Sequence, residues 1–332
     1  MERLGICFSG GLNATQIVNC AKLAEELGYE SVWLAEGHGG DQFAILAACA
    51  TATSRVQLGT AITSAFVRSA PTIAMAAMTV DQLSGGRFIL GIGSSHKVQV
   101  EPEHGLVYTK PLTRVRETVE LVRALISDGN VHYHGQTLNV ENFELWFTPH
   151  RKRLPIYLSA VFPKMTELTG EIGDGLILVR STLESGAAKR QHLIAGGERS
   201  GNDGAGIPIV SLLPTAIGDS KTDACDKLRP GFAAYTGYFP RYNRMTADQG
   251  FADEATAIAE AWARGDQDGA AAAVSDGLID ASGIAGTPEQ CRAKIEEICA
   301  SGIDVPLIAP FANGPGAQEE IEAVIRACAP AG

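Results

Sequence analysis

LGICFSGGLNATQIVNCAKLAEELGYESVWLAE, residues 4–36, sets the fold class. LGICFS (4–9) is strand-like, Asn13 or Thr15 can cap a helix running to Leu27, Gly28 stops it, and SVWLAE (31–36) is a second strand. Strand, helix and strand in about thirty residues make a βαβ unit, and such units build parallel sheets. The rhythm then repeats. A helix over 42–53 leads to RVQLGTAI (55–62), and a helix over 71–83 leads through the turn SGG to RFILGIG (87–93). A long amphipathic helix, roughly 112–127, precedes NVHYHGQTLNVENFELWF, whose alternation and central His-Gly-Gln predict a β-hairpin insertion at 128–150. Strands PIYLSA (155–160), GLILVR (175–180), IPIVSLLPTAI (207–217) and DVPLIAP (304–310) follow, with helices over 163–172, 182–200, 288–301 and 317–328.

Eight strands each followed by helix, with no Pro/Ser linker between them, predict an α/β fold. We read it as a single (β/α)8 TIM barrel over 1–332, with a hairpin insertion at 128–150 and a helical insertion at 218–280. An open doubly wound sheet would need a nucleotide fingerprint after its first strand. SGGLNAT stands there, without GxGxxG.

Composition narrows the function. The chain has 332 residues, 45% of them hydrophobic, enough apolar material for a large core. Its net charge is −11, with no Lys/Arg cluster, which argues against a nonspecific nucleic-acid binder. No stretch reaches the ~18 apolar residues of a membrane span, and MERLGICFSGG does not resemble a signal peptide, so a cytoplasmic location without membrane partners is expected. Cys7, Cys20, Cys49, Cys225, Cys291, Cys299 and Cys328 are scattered and odd in number, fitting small buried hydrophobes in a reducing compartment.

Active sites of such barrels sit where strands end at the C-terminal face. After strand two, EGHGGDQF places Glu36, His38 and Asp41 at the mouth; carboxylate and imidazole suit proton exchange, while Asp41 also suits a helix cap. LGIGSSHK ends strand four with glycines, Ser94, Ser95 and the titratable His96. Strand five leads through Ser159, Ala160, Val161 and Phe162 to Pro163 and Lys164, a helix start that can receive an anion. No metal is expected. His132 and His134 alternate along the hairpin without a third ligand nearby, and HEXXH is absent. Tyr108, Trp146, Phe147, Phe232, Tyr235 and Phe239 are candidates for an apolar substrate pocket. With no nucleophile elbow and no phosphate loop, an organic cofactor would supply the hard chemistry.

TSRVQLGTAITSAFVRSAPTIAMAAMTVDQLSGGRFILGIGSSH (53–96) resembles the signature stretch of the bacterial luciferase-like superfamily. LAEELGYESVWLAEG, IYLSAVFPKMTELTGEIGDG and IAGTPEQCRAKIEEICASGID extend the likeness over most of the chain. EGHGGDQF and KPLTRVRETVELVRAL (110–125) resemble the branch related to methylenetetrahydromethanopterin reductase, whose members use coenzyme F420. The resemblance implies a luciferase-like TIM barrel in which hydride passes between the deazaflavin C5 and a small-molecule substrate. It implies a cis peptide at Ala61-Ile62 behind the ring, ring-edge contacts from Glu36, Thr63 and Ser64, and tail contacts from Ser94, Ser95 and Gln99. Phosphate contacts would come from the Val161 and Phe162 backbone with Lys164 and Met165, and the substrate proton would pass through Glu36, His38 or His96. It also implies a homodimer.

Departures limit the transfer. Related dehydrogenases carry a histidine where this chain has Gly37, a glutamate where it has His96, and a glycine pair where it has Val161-Phe162. Their sugar-phosphate chemistry is therefore not carried over. Two rivals remain: an FMN-dependent monooxygenase of the same superfamily, and a noncatalytic flavin- or deazaflavin-binding barrel.

Overall fold

The computed structural model describes residues 3–330. Its first elements are β1 (Gly5–Phe8), α1 (Ala14–Glu26), β2 (Ser31–Leu34), α2 (Gln42–Ala52), β3 (Gln57–Thr60), β4 (Thr63–Ser64), α3 (Ala70–Leu83), β5 (Phe88–Gly93) and α4 (Lys97–Val100). Next come α5 (Pro111–Asp128), the hairpin β6 (Asn130–His134) and β7 (Asn139–Glu144), β8 (Ile156–Ser159), α6 (Pro163–Ile172), β9 (Gly175–Val179), α7 (Ser185–Ser200) and β10 (Ile209–Ile217). Five helices follow: α8 (Lys221–Tyr238), α9 (Pro240–Asp248), α10 (Ala252–Ala263), α11 (Gln267–Ala272) and α12 (Asp276–Ser282). β11 (Ile284–Gly286), α13 (Pro288–Ala300), β12 (Val305–Pro310) and α14 (Ala317–Ala327) complete the chain.

Parallel pairing runs β10, β12, β1, β2, β3, β5, β8, β9 and back to β10, which closes an eight-stranded barrel. Local chemistry sets the helix boundaries. Asn13 and Gln16 form a reciprocal capping box on α1, as Thr287 and Gln290 do on α13, and Asp41 caps α2 by accepting from the Ala44 amide at 2.9 Å. Pro71, Pro111 and Pro163 occupy first turns, where their missing N–H costs nothing.

The third strand ends earlier than its apolar run suggests. It stops at Thr60, the Ala61-Ile62 peptide is cis, and the chain rejoins β5 as the short β4. Across this gap the Thr60 hydroxyl stands in for ladder bonds, donating to the Gly91 carbonyl and accepting from the Gly91 amide, each at 2.8 Å. The approach leaves no room for a side chain, since a Cβ on Gly91 would lie 1.9 Å from the Thr60 carbonyl oxygen. Gly91→Ala is expected to cost about 3 kcal/mol through forced backbone displacement. Urea denaturation with an unchanged midpoint would refute this account of the gap.

Apolar residues form three clusters. Cys7, Trp33, Ile89, Ile177, Val210, Val305 and Leu307 fill the lower barrel interior. A larger cluster lies between the strands and the surrounding helices. A third, built on Ala224, Leu228, Phe232, Ile258, Val274 and Leu278, belongs to α8 and the helices after it. Among the described residues no helix is long and apolar enough to cross a membrane.

Candidate active site

A cavity of about 640 Å³ opens at the strand C-termini. Ser9, Ala35 to His38, Ala61, Ile62 and Gly93 to His96 line it from the first four barrel strands, and Ser159, Val161 and Phe162 from the fifth. Tyr235, Tyr238, Phe239, Arg241 and Tyr242 close it from the end of α8 and the start of α9. A polar annex of about 410 Å³ shares Glu36, His38, Ser95, Gln99 and Glu103 with it and reaches Ser64 and Asp41.

Glu36 leaves β2 with both carboxylate oxygens engaged. One accepts from the Ser64 amide at 2.7 Å and the Thr63 hydroxyl at 3.2 Å; the other is ion-paired to Nε of Arg68. Arg68 continues to Asp41 at 2.8 Å, and Asp41 holds the start of α2. The carboxylate of Asp41 stays below its ordinary range because burial is outweighed by Arg68 and the helix amides. Glu36 is thus a brace tying the end of β2 to β4. Thr63 is fully buried behind it and lines neither cavity. Ala160 likewise is buried away from the cavity, its amide spent on the Ile177 carbonyl.

The two histidines differ. The His38 side chain is 80% exposed, and its Nε2 lies 3.1 Å from Glu103, which also accepts from the Tyr238 hydroxyl at 3.3 Å. These three side chains meet at the cavity rim. His96 packs between Phe239 and Tyr242, with ring centroids 4.5 and 4.8 Å away. Burial, helped by the Arg241 guanidinium, pushes its pKa down to about 4, so the ring is neutral at pH 7 and can either accept or donate a hydrogen bond.

At the other end, α6 begins at Pro163 with no side-chain cap from Phe162; Pro163 has no N–H and the Met165 amide donates to the Phe162 carbonyl at 3.2 Å, which leaves the Lys164 amide of the first turn for an anion. Lys164 and Met165 line the cavity there. Sequence reasoning missed a second lysine. Lys189, from α7, donates to the Val161 carbonyl behind this turn, and burial pushes its pKa down to about 8. Arg244 covers the Phe162 ring at 4.9 Å. A chain of charge −11 therefore gathers three cations at one helix start.

Other residues were out of reach of local pattern. Tyr242 and Arg241 enter the cavity from α9, where Arg241 donates to the Ser94 hydroxyl at 3.2 Å. Arg180, after β9, lies 3.9 Å over the Phe232 ring and donates to Thr236, yet its Nε and Nη2 find no acceptor among the described residues. Of the aromatic candidates, Tyr235 and Phe239 line the cavity, Phe232 is core, Tyr108 stacks on Phe66 at 4.5 Å, and Trp146 is 96% exposed. Phe147 is also exposed. The hairpin histidines do have a third group beside them, since cross-strand pairing brings Glu141 to 3.6 Å from His134.

A parallel barrel with its cavity walled by strand C-termini and two inserted helices is a TIM barrel with its cavity where such barrels carry their active sites. Residues 5–305 match the model of the family described as luciferase-like monooxygenase, and the chain belongs to that family. It is 28% identical to 5,10-methylenetetrahydromethanopterin reductase of Archaeoglobus fulgidus, over 97% of each chain. The enzyme of that name from Methanolobus tindarius is 27% identical over 96% of this chain and 97% of its own. In fold, the chain superposes on the coenzyme F420 dependent tetrahydromethanopterin reductase of Methanopyrus kandleri with a TM-score of 0.85, 24% identity and 98% of both chains covered.

Proposed function

We propose that this luciferase-like oxidoreductase moves a hydride between coenzyme F420 and a small organic substrate. The observation that carries the reading is one cavity joining an apolar wall, Ala61 and Ile62, to an anion-receptive helix start with Lys164 and Lys189 around it. A ring cofactor with a phosphate arm needs that pairing. Similarity to reductases whose names carry methanopterin or F420 supports the same choice.

In this reading Ala61 and Ile62 back the ring, Ser94, Ser95 and Gln99 hold the tail, and the start of α6 with Lys164 holds the phosphate. When bound, the deazaflavin supplies a ring carbon that accepts or gives a hydride. The chain supplies the rest. Tyr235, Phe239 and Tyr242 enclose the substrate side and exclude water, and neutral His96 offers a ring nitrogen to a proton in transit. Glu36, its oxygens already filled, keeps the wall in place.

Fluorescence titration of the apo protein with F420 and with FMN tests the reading. F420 is expected to bind at least ten-fold tighter, and tight FMN binding without F420 binding would replace it with the flavin monooxygenase reading. Lys164→Ala should weaken F420 about five-fold, the worth of roughly 1 kcal/mol for an exposed cation near a phosphate.

A further inference from the structure

We propose that the outer face of the inserted hairpin is a binding site for a divalent cation of the zinc class, with His132, His134 and Glu141 as its protein ligands. The two strands pair antiparallel, with an irregularity between Val131 and Tyr133. Val131 is buried and the Tyr133 hydroxyl donates to Glu120 on α5 at 2.7 Å, so that face of β6 rests on the barrel. His132 and His134 fall on the opposite face by strand alternation, and both are exposed. Tyr133 pairs with Val140, which sets Glu141 on the same outer face.

The three side chains converge. A nitrogen of each imidazole and a carboxylate oxygen of Glu141 all lie within 4.8 Å of one another. The imidazole centroids are 4.6 Å apart in an edge arrangement, and His134 Nε2 is 3.6 Å from Glu141. Ligand bonds of about 2.0–2.2 Å in a tetrahedral shell hold ligand atoms roughly 3.5 Å apart, so about an ångström of side-chain movement closes the site. The His132 Nδ1 meets the Glu141 carbonyl oxygen. A carbonyl only accepts, so Nδ1 carries the proton and Nε2 keeps the lone pair. This outer hydrogen bond is the device that orients metal-binding histidines.

Ligand chemistry selects the ion. Two imidazoles and one carboxylate suit Zn2+, Co2+ or Ni2+, whereas Mg2+ and Ca2+ prefer oxygen-only shells. Two ligands come from β6 and one from β7, so the ion would clip the strands of a hairpin that has only two and is of marginal stability alone. Water would complete the shell, since all three residues face solvent. The inference is independent of the cofactor reading, because none of the three residues lines the main cavity.

The test uses untagged full-length protein stripped with EDTA and titrated with ZnCl2 by calorimetry, with thermal unfolding followed in parallel. One equivalent should bind and raise Tm, and Mg2+ should do neither. His132→Ala and His134→Ala should each weaken binding ten-fold or more and abolish the Tm rise, with Glu141→Gln intermediate. Exposed positions leave the fold of these variants intact, and their far-UV circular dichroism checks it. Absence of saturable binding, or binding that survives the double histidine variant, would overturn the proposal.

Discussion

Glu36→Ala should both destabilise the protein by about 3 kcal/mol and weaken binding of the proposed F420 cofactor at least ten-fold. The stability term follows from burial: the side chains of Glu36 and Arg68 are 16% and 21% exposed, and removing the carboxylate leaves Arg68 Nε without its acceptor and Asp41 as the remaining partner. The Ser64 amide and Thr63 hydroxyl lose their acceptor too. The binding term follows because β4, released from β2, no longer fixes the wall formed by Ala61 and Ile62. Guanidinium denaturation and fluorescence titration measure the two effects separately. The double variant Glu36→Ala/Arg68→Ala should recover no stability, because Asp41 then loses Arg68 as well, and binding stays weak. A single variant with wild-type stability would show that the brace is not one.

Glu117→Ala should be comparably severe for stability and should leave the cofactor site largely intact. From the middle of α5 this carboxylate accepts from the Gln136, Thr137 and Leu138 amides and the Thr137 hydroxyl, gathering the hairpin turn against the barrel. A Cβ on Gly135 would stand 2.6 Å from either oxygen, so the tip is shaped around them. One buried donor, Leu138, and three half-buried ones lose their acceptor at up to about 1–3 kcal/mol each, so a loss of about 3 kcal/mol is expected. The same group gives a pH dependence. Burial raises its pKa, but the Thr137 hydroxyl and the three amides outweigh that and hold the folded value below the ordinary one. A depressed carboxyl contributes its full stability above the unfolded value of about 4.3 and loses it as pH falls through the folded pKa. Denaturation midpoints of the wild type should therefore drop on acidification below about pH 4 more steeply than those of Glu117→Ala. Parallel curves would assign the acid sensitivity elsewhere.

The barrel was legible because each βα unit states its own boundaries, as Asn13 and Gly28 do around α1. β4 and β11 were not, having two and three residues and owing their existence to neighbours already in place. In the site, residues that follow strands were readable from topology: Glu36, His38 and His96 all reach the cavity. What Glu36 does there was not, because its partners Ser64 and Arg68 lie about thirty residues away and only the folded chain reveals that both oxygens are taken. Tyr242, Arg241 and Lys189 gave no local signal, since helices place them by tertiary packing. Glu141 could have been found. Counting the register of the hairpin back from its turn sets it on the face of His132 and His134.

The third apolar cluster, around Phe232 and Ile258, lies apart from the cluster that joins barrel to helices. The helix that carries Tyr235, α8, is thereby cored largely with the helices that follow α9. Divergence can proceed there on a separate reserve of stability, trading one substrate wall for another while the strands and the cofactor end stay as they are. A barrel organised in this way is disposed to yield descendants that share the strand end of the site and differ in what fills the rest of it.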